Sequence, residues 1–218
     1  MDGDGIPDEY LDQLLDFYNV LVHSILHARG VYPPEMFEDS RHPLLRTMPV
    51  KVSRHPEVVK YVHDTVEDLR WPIKEGSVRR ITLELCQEDT LLVMERYILE
   101  MGLWSKTRPS SRARQAEQTT FDAFQGILVK LLQSLPRVPD IPACALTFRI
   151  VATGPLKRLD GKYDEWIRAD AAEESANLRI VSTKSTVLAD KSEGIPIQLI
   201  SIRGLSSPSG GCNTCDEK

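Results

Sequence analysis

Between residues 11 and 26 the chain carries Leu11, Leu14, Leu15, Tyr18, Leu21, Val22, Ile25 and Leu26, spaced by threes and fours. That spacing gathers all eight on one face of a helix, which must be buried against another layer. Pro7 and Asp8 suit the start of this helix and Gly30 its end. Val31-Tyr32-Pro33-Pro34 then forbids its continuation. A helix this apolar, this early, needs a large partner surface. With 218 residues, 41% of them hydrophobic, the chain has enough for one ordinary core without staples.

The rest of the sequence supplies the partner layer. Met48 to Val52 reads as a strand or an extended connection. A second helix is predicted to open at Pro56, with Val58, Val59, Val62, Val66 and Leu69 facing inward and Trp71-Pro72 ending it. Ile81, Leu83 and Leu85 alternate with Arg80, Thr82 and Glu84, the pattern of a strand with one wet face. After a turn at Gln87-Glu88-Asp89-Thr90 the chain returns from Leu91 to Met101 as the second arm of a hairpin. Residues 102–114 read as a loop bearing Lys106, Arg108, Arg112 and Arg114. A third helix carries Phe121, Phe124, Ile127, Leu128, Leu131, Leu132 and Leu135 and is broken by Pro136, Pro139 and Pro142. Leu146, Phe148 and Ile150 alternate through another strand.

Beyond residue 154 only short apolar pieces remain, at Trp166-Ile167, Leu178 to Val181 and Ile195 to Ile202. The sequence therefore predicts an α+β domain over residues 8–203, with three helices packed on one face of a mainly antiparallel sheet of roughly six strands. Residues 1–7 read as a flexible N-terminus and 204–218 as a disordered tail.

Charge and composition narrow the function. There are 27 basic and 32 acidic residues, a formal charge of -5, and aromatics are only 6%. Both weigh against a protein that coats nucleic acid, and the run from Lys106 to Arg114 reads as an exposed loop. The acidic N-terminus lacks the apolar stretch of a secretory signal, and no apolar run is long enough to span a membrane. Cys86 and Cys144 sit in apolar segments as small hydrophobes, and the lone pair Cys212 and Cys215 lacks the second pair a zinc site needs. His23 and His27 stand at i and i+4, a metal-binding spacing, but no third ligand is signalled, so a metal-dependent hydrolase is a remote alternative. His42, or His63 with Asp64, lacks the strained glycine-serine turn of a hydrolase. Gly154 to Arg158 lacks the spacing of a phosphate loop, and Glu165, Asp170, Glu173 and Glu174 read as a solvated rim. No catalytic constellation and no cofactor signature emerges, so a binding module leads over an enzyme.

The segment Val22-His23-Ser24-Ile25-Leu26-His27-Ala28-Arg29-Gly30-Val31-Tyr32-Pro33 and the segment Val50 to Thr65, with its His55-Pro56-Glu57, Tyr61 and Asp64-Thr65, resemble the HORMA domain family. Within that family the resemblance is to the accessory subunits of translesion DNA polymerase zeta. Trp166-Ile167-Arg168-Ala169-Asp170 and Ile197-Gln198-Leu199-Ile200 extend the likeness in order and spacing.

The resemblance implies a core over residues 8–153 and a C-terminal safety belt over 154–203 that closes on a partner peptide. It implies a nuclear, non-catalytic adaptor in DNA damage tolerance. Such an adaptor clamps a segment of the polymerase zeta catalytic subunit, bridges to the C-terminal domain of the Rev one scaffold polymerase, and reaches DNA only through these partners. Tyr61, Trp166 and Tyr32 take the peptide-binding positions, and Gln198, Ile200, Leu178 and Ile180 the partner surface, with Ile200 where the family has tyrosine. Gln125 stands where a family arginine supports HORMA–HORMA dimers. A spindle-checkpoint or meiotic HORMA adaptor is the alternative.

Overall fold

The computed structural model describes residues 6, 8–43, 49–101, 113–137, 141, 145–154, 178–179, 186–188 and 197–204. Its first element is the helix the apolar stripe demands, α1 (Asp8–Ala28), in which Leu11, Leu14, Phe17, Leu21, Ile25 and Leu26 are wholly buried. Each such side chain contributes roughly 1.5–3 kcal/mol by leaving water. The helix ends in a paired turn. The Val31 amide donates to the Leu26 carbonyl and the Gly30 amide to that of His27. Gly30 takes φ +62°, a left-handed conformation that L side chains adopt only at a cost. Val31 folds back into the core, and the chain leaves toward Tyr32 in a fixed direction.

A single 3-10 turn (Pro34–Met36) leads into β1 (Phe37–Ser40), which pairs antiparallel with β2 (Val50–Ser53). The sequence reading missed β1, whose Phe37 is its only buried apolar residue. Next come α2 (Pro56–Asp68) and the short α3 (Arg70–Lys74). Trp71-Pro72 therefore does not end the helical region as expected. Pro72 lies in the first turn of α3, where the missing N–H costs no helical hydrogen bond.

The main sheet is built from β3 (Arg80–Gln87), β4 (Val93–Met101), β5 (Leu146–Thr153), β6 (Leu178–Arg179), β7 (Thr186–Leu188) and β8 (Ile197–Gly204). Its order is β5-β3-β4-β8-β6, with β7 also on β8, and every described pairing is antiparallel. The hairpin β3–β4 is as expected, but the order of the sheet puts β8 beside β4 and leaves β5 at the edge. α4 (Ala113–Ser134) begins earlier than the periodicity indicated, so Arg114 is helical and Lys106 to Arg112 lie outside the described residues. α1 packs against β2, α2, α3 and α4, and Phe17 stacks on Phe124 of α4 at 4.7 Å between ring centroids. With eight strands and three long helices plus α3 among the described residues, the α+β class stands as predicted.

The expected wet face of β3 stays wet at Arg80, whose side chain is 44% exposed, but not further along. Thr82 and Glu84 are 5% exposed, and so buried like the core-facing Leu83. Glu84 is neutralised across the sheet, because Arg96 on β4 and Arg149 on β5 are its direct register partners and each donates to its carboxylate. A charge held this way tolerates burial, which a reading of alternation alone takes as exposure.

Gly154 closes β5. A Cβ there would collide with the Ser77 carbonyl, so the chain leaves the sheet at a point where only glycine fits. The remaining belt residues, the 204–218 tail apart from Gly204 and the tail cysteines Cys212 and Cys215 lie outside the described residues.

His23 gives the core a pH response. It is 2% exposed, and burial lowers its pKa from 6.5 to about 4. Below the unfolded value the unfolded chain binds a proton that the folded chain refuses. Stability is therefore complete above about pH 6.5 and falls toward pH 4 by roughly 3 kcal/mol, with His27 and His42 shifted in the same direction. Urea unfolding at about pH 7 and about pH 5 should show about 2 kcal/mol of this loss, and His23→Asn, which keeps an acceptor for the Ser53 amide, should reduce it.

Candidate peptide-binding site

The chemistry with a shape suited to a ligand lies where α1, α2 and β5 meet. Tyr32 is placed two residues beyond Gly30 by the turn that ends α1. On α2, the cap residue His55 and then Val58 and Tyr61 follow at intervals of three, so they share one side of the helix. Phe148 comes from β5, opposite Leu85 of β3 and hence on the helix-facing side of the sheet. These residues, with Met36 and Glu57, line an open hollow of about 300 Å³.

Phe148 is the centre of the aromatic arrangement. Tyr61 meets it edge to face at 5.6 Å and 71°, and Tyr32 does so at 6.4 Å and 88°. Such tilted contacts are the favoured geometry of ring quadrupoles. Tyr61 remains 46% exposed, an aromatic side chain presented rather than packed away. Burial raises the pKa of Tyr61, opposed by a hydrogen bond to Thr65. Burial also raises that of Tyr32, helped by the charge of Glu88 and by Tyr61. Both phenols therefore stay neutral over the ordinary pH range and act as donors and acceptors. On the wall, Nδ1 of His55 is buried without a hydrogen-bond partner among the described residues.

Beside the hollow runs β5. Among the described residues it pairs only with β3, so its outer side offers a row of main-chain donors and acceptors. An open edge next to an apolar hollow suits an extended peptide, which gains main-chain bonds along the edge and seats alternate side chains.

Two of the predicted peptide residues, Tyr32 and Tyr61, are thus brought together. Trp166 lies outside the described residues. Phe148, Met36, His55 and Val58 escaped the sequence reading. In the sequence Phe148 is one more inward position of an alternating strand, and nothing local marks that strand as an edge.

The predicted partner surface lies elsewhere. Gln198 is directly opposite Glu100 and Ile200 opposite Ile98, while Leu178 pairs with Gly204, and Ile180 lies outside the described residues. β8 is three strand spacings from β5, roughly 14 Å. The predicted peptide and partner positions that the structure describes therefore lie on different strands and turns.

His23 and His27 do not face a common point where an ion would sit. His23 accepts the Ser53 amide and His27 meets the Phe37 ring at 5.1 Å. Among the described residues no group of three or more His, Cys, Asp or Glu side chains is placed to hold an ion. Among the same residues, no helix is long and apolar enough to cross a membrane.

Fold and site together define an α+β domain with a ring-lined hollow beside β5, which pairs only with β3 among the described residues. The HORMA domain profile matches residues 15–154, and the chain belongs to the HORMA domain family. It is 31% identical over 129 residues to the Arabidopsis thaliana "DNA polymerase zeta processivity subunit", covering 59% of this chain and 56% of that protein. The Schizosaccharomyces pombe protein of the same name is 24% identical over 178 residues, 76% of this chain and 78% of that one. The human "Mitotic spindle assembly checkpoint protein MAD2B" is 29% identical over 90 residues, 41% of each. The chain thus spans about half the length of the plant protein it matches and less of the human one.

The fold is shared with a chain of the mitotic checkpoint complex at TM-score 0.69 and 17% identity, over 89% of this chain and 98% of that one. It is shared also with Caenorhabditis elegans HTP-2 bound to HTP-3 closure motif 1, at TM-score 0.65 and 9% identity, over 94% and 95%.

Proposed function

We propose that this chain is a non-catalytic adaptor subunit of translesion DNA polymerase zeta. It holds a segment of the catalytic subunit as an added strand along β5, with a side chain of that segment seated between Tyr32, Tyr61 and Phe148. The belt over residues 154–203 closes on it through Trp166. A second surface, formed by Gln198, Ile200, Leu178 and Ile180, receives the C-terminal domain of the Rev one scaffold polymerase. The protein works in the nucleus and meets DNA through these partners.

The observation that carries this reading is the ring-lined hollow beside the open edge of β5. The names of the plant and fission-yeast relatives supply the pathway. The placement of the two sets of described positions on different strands and turns supports an adaptor that holds both partners.

The test is capture of a synthetic catalytic-subunit segment by the purified chain. Wild type is expected to retain it, and Tyr61→Ala and Trp166→Ala to lose it. Equal retention by all three would overturn the site assignment. The name of the human relative favours a second reading, a checkpoint adaptor with the same clamp and another partner. Co-purification from cells that yields checkpoint proteins without polymerase zeta would favour it.

A further inference from the structure

Among the described residues, the large apolar side chains left exposed are Tyr61, Trp71, Leu91 and Leu92, and of these only the last two are neighbours in the chain. They sit at the tip of the β3–β4 hairpin, 60% and 58% exposed. Leu91 is also the described non-glycine residue with a positive φ, at +56°. This left-handed position after a hairpin turn ordinarily takes glycine. A leucine there is strained, and it gains no burial in return.

The tip is nevertheless well held. The Leu91 amide donates to the Gln87 carbonyl at 2.8 Å, and the Gln87 amide to that of Leu92 at 2.9 Å. The Thr90 hydroxyl donates to the Gln87 side chain and accepts the Leu92 amide. The Glu88 amide fastens the turn to the Ala145 carbonyl, just before β5. Two leucines are thus presented to solvent on a hydrogen-bonded turn, beside the exposed Glu88 and Asp89.

We infer that the hairpin tip is a docking surface for a partner segment that is both apolar and basic. Its leucine-like side chains lie against Leu91 and Leu92, and its lysine or arginine against Glu88 and Asp89. Charge decides against a second copy of this chain. A two-fold contact brings the same patch together from both sides, so the carboxylates of two tips would meet across it. Size points the same way. Two leucines are a small part of the roughly 1,200–2,000 Å² that a stable protein–protein interface buries, and they match the few side chains of a short segment. None of these four residues lines the hollow beside β5, so the surface goes beyond the proposed peptide site.

A random peptide library displayed on phage tests this, selected on the full chain and depleted on a Leu91→Gly, Leu92→Ser variant. The retained peptides are expected to combine apolar residues with lysine or arginine. They should lose roughly tenfold in affinity on that variant, and bind Tyr61→Ala as they bind wild type. Glu88→Gln, Asp89→Asn should weaken them and remove most of the salt dependence of binding. Leu91→Gly alone should melt at least as high as wild type, because it relieves the left-handed leucine. A clear drop would show that Leu91 supports the fold, and would overturn its reading as a displayed contact. Retention of no peptide after depletion, or of peptides without basic residues, would overturn the inference. So would self-association of the chain, read by sedimentation, that the leucine variant abolishes, since the occupant would then be a second copy.

Discussion

Replacing Glu95 by alanine is expected to lower the stability of the fold by about 3–5 kcal/mol, the usual cost of breaking a buried ion pair from one side. Arg29, at the end of α1, donates through Nε and Nη2 to the two oxygens of Glu95, at 2.9 and 2.8 Å. Their side chains are 2% and 5% exposed. The Tyr97 hydroxyl donates to the same carboxylate at 2.8 Å. Alanine would take the counter-charge from a buried guanidinium and an acceptor from a buried phenol. Glu95→Gln, which keeps an oxygen but loses the charge, should fall between. The double change Arg29→Met, Glu95→Leu should regain part of the loss, because two apolar side chains need no compensation while the Tyr97 hydroxyl still lacks its acceptor. Urea unfolding reads all three. An alanine effect below about 1 kcal/mol would show that the pair is solvated in solution. The same contact fixes the turn that delivers Tyr32, so Glu95→Ala should also weaken peptide binding without touching the hollow.

Tyr61→Ala is expected to weaken capture of the catalytic-subunit segment by about 2–4 kcal/mol, roughly 30- to 1,000-fold. Truncation removes one wall of the hollow and the edge-to-face contact with Phe148. Because Tyr61 is 46% exposed, its removal should change folding stability far less than it changes binding. Tyr61→Phe keeps the ring and should keep most of the affinity. Calorimetric titration with matched thermal unfolding separates the two effects. A Tyr61→Ala protein that binds within about threefold of wild type would remove this ring from the interface.

The legible parts of the fold are those that local pattern controls. The stripe from Leu11 to Leu26, the glycine after it, Pro56 at the start of α2 and the places of β3 and β5 along the chain are short-range features, and each appears where expected. What failed was set by distant contacts. The depth of Glu84 depends on Arg96 and Arg149, which are 12 and 65 residues away. The position of Pro72 within α3 could not be told from a helix stop, because proline is tolerated in a first turn as readily as it ends a helix. The place of β8 beside β4 is a pairing of strands about a hundred residues apart, which no window along the chain detects.

The site divides in the same way. Tyr32 and Tyr61 were chosen by family resemblance, not by any periodic signal, and they meet around one ring. Phe148 is that ring, and it was missed. Alternation tells which side of a strand a residue takes, but not whether the strand lies at an edge.

Backbone amide hydrogen exchange on the chain with and without the catalytic-subunit segment tests the central claim most directly. Strand addition predicts slowed exchange along Leu146–Thr153, at the alternate amides that point to the open edge, together with protection around Tyr32 and the start of α2. A bound segment that leaves the β5 amides unchanged, and protects β8 alone, would contradict it.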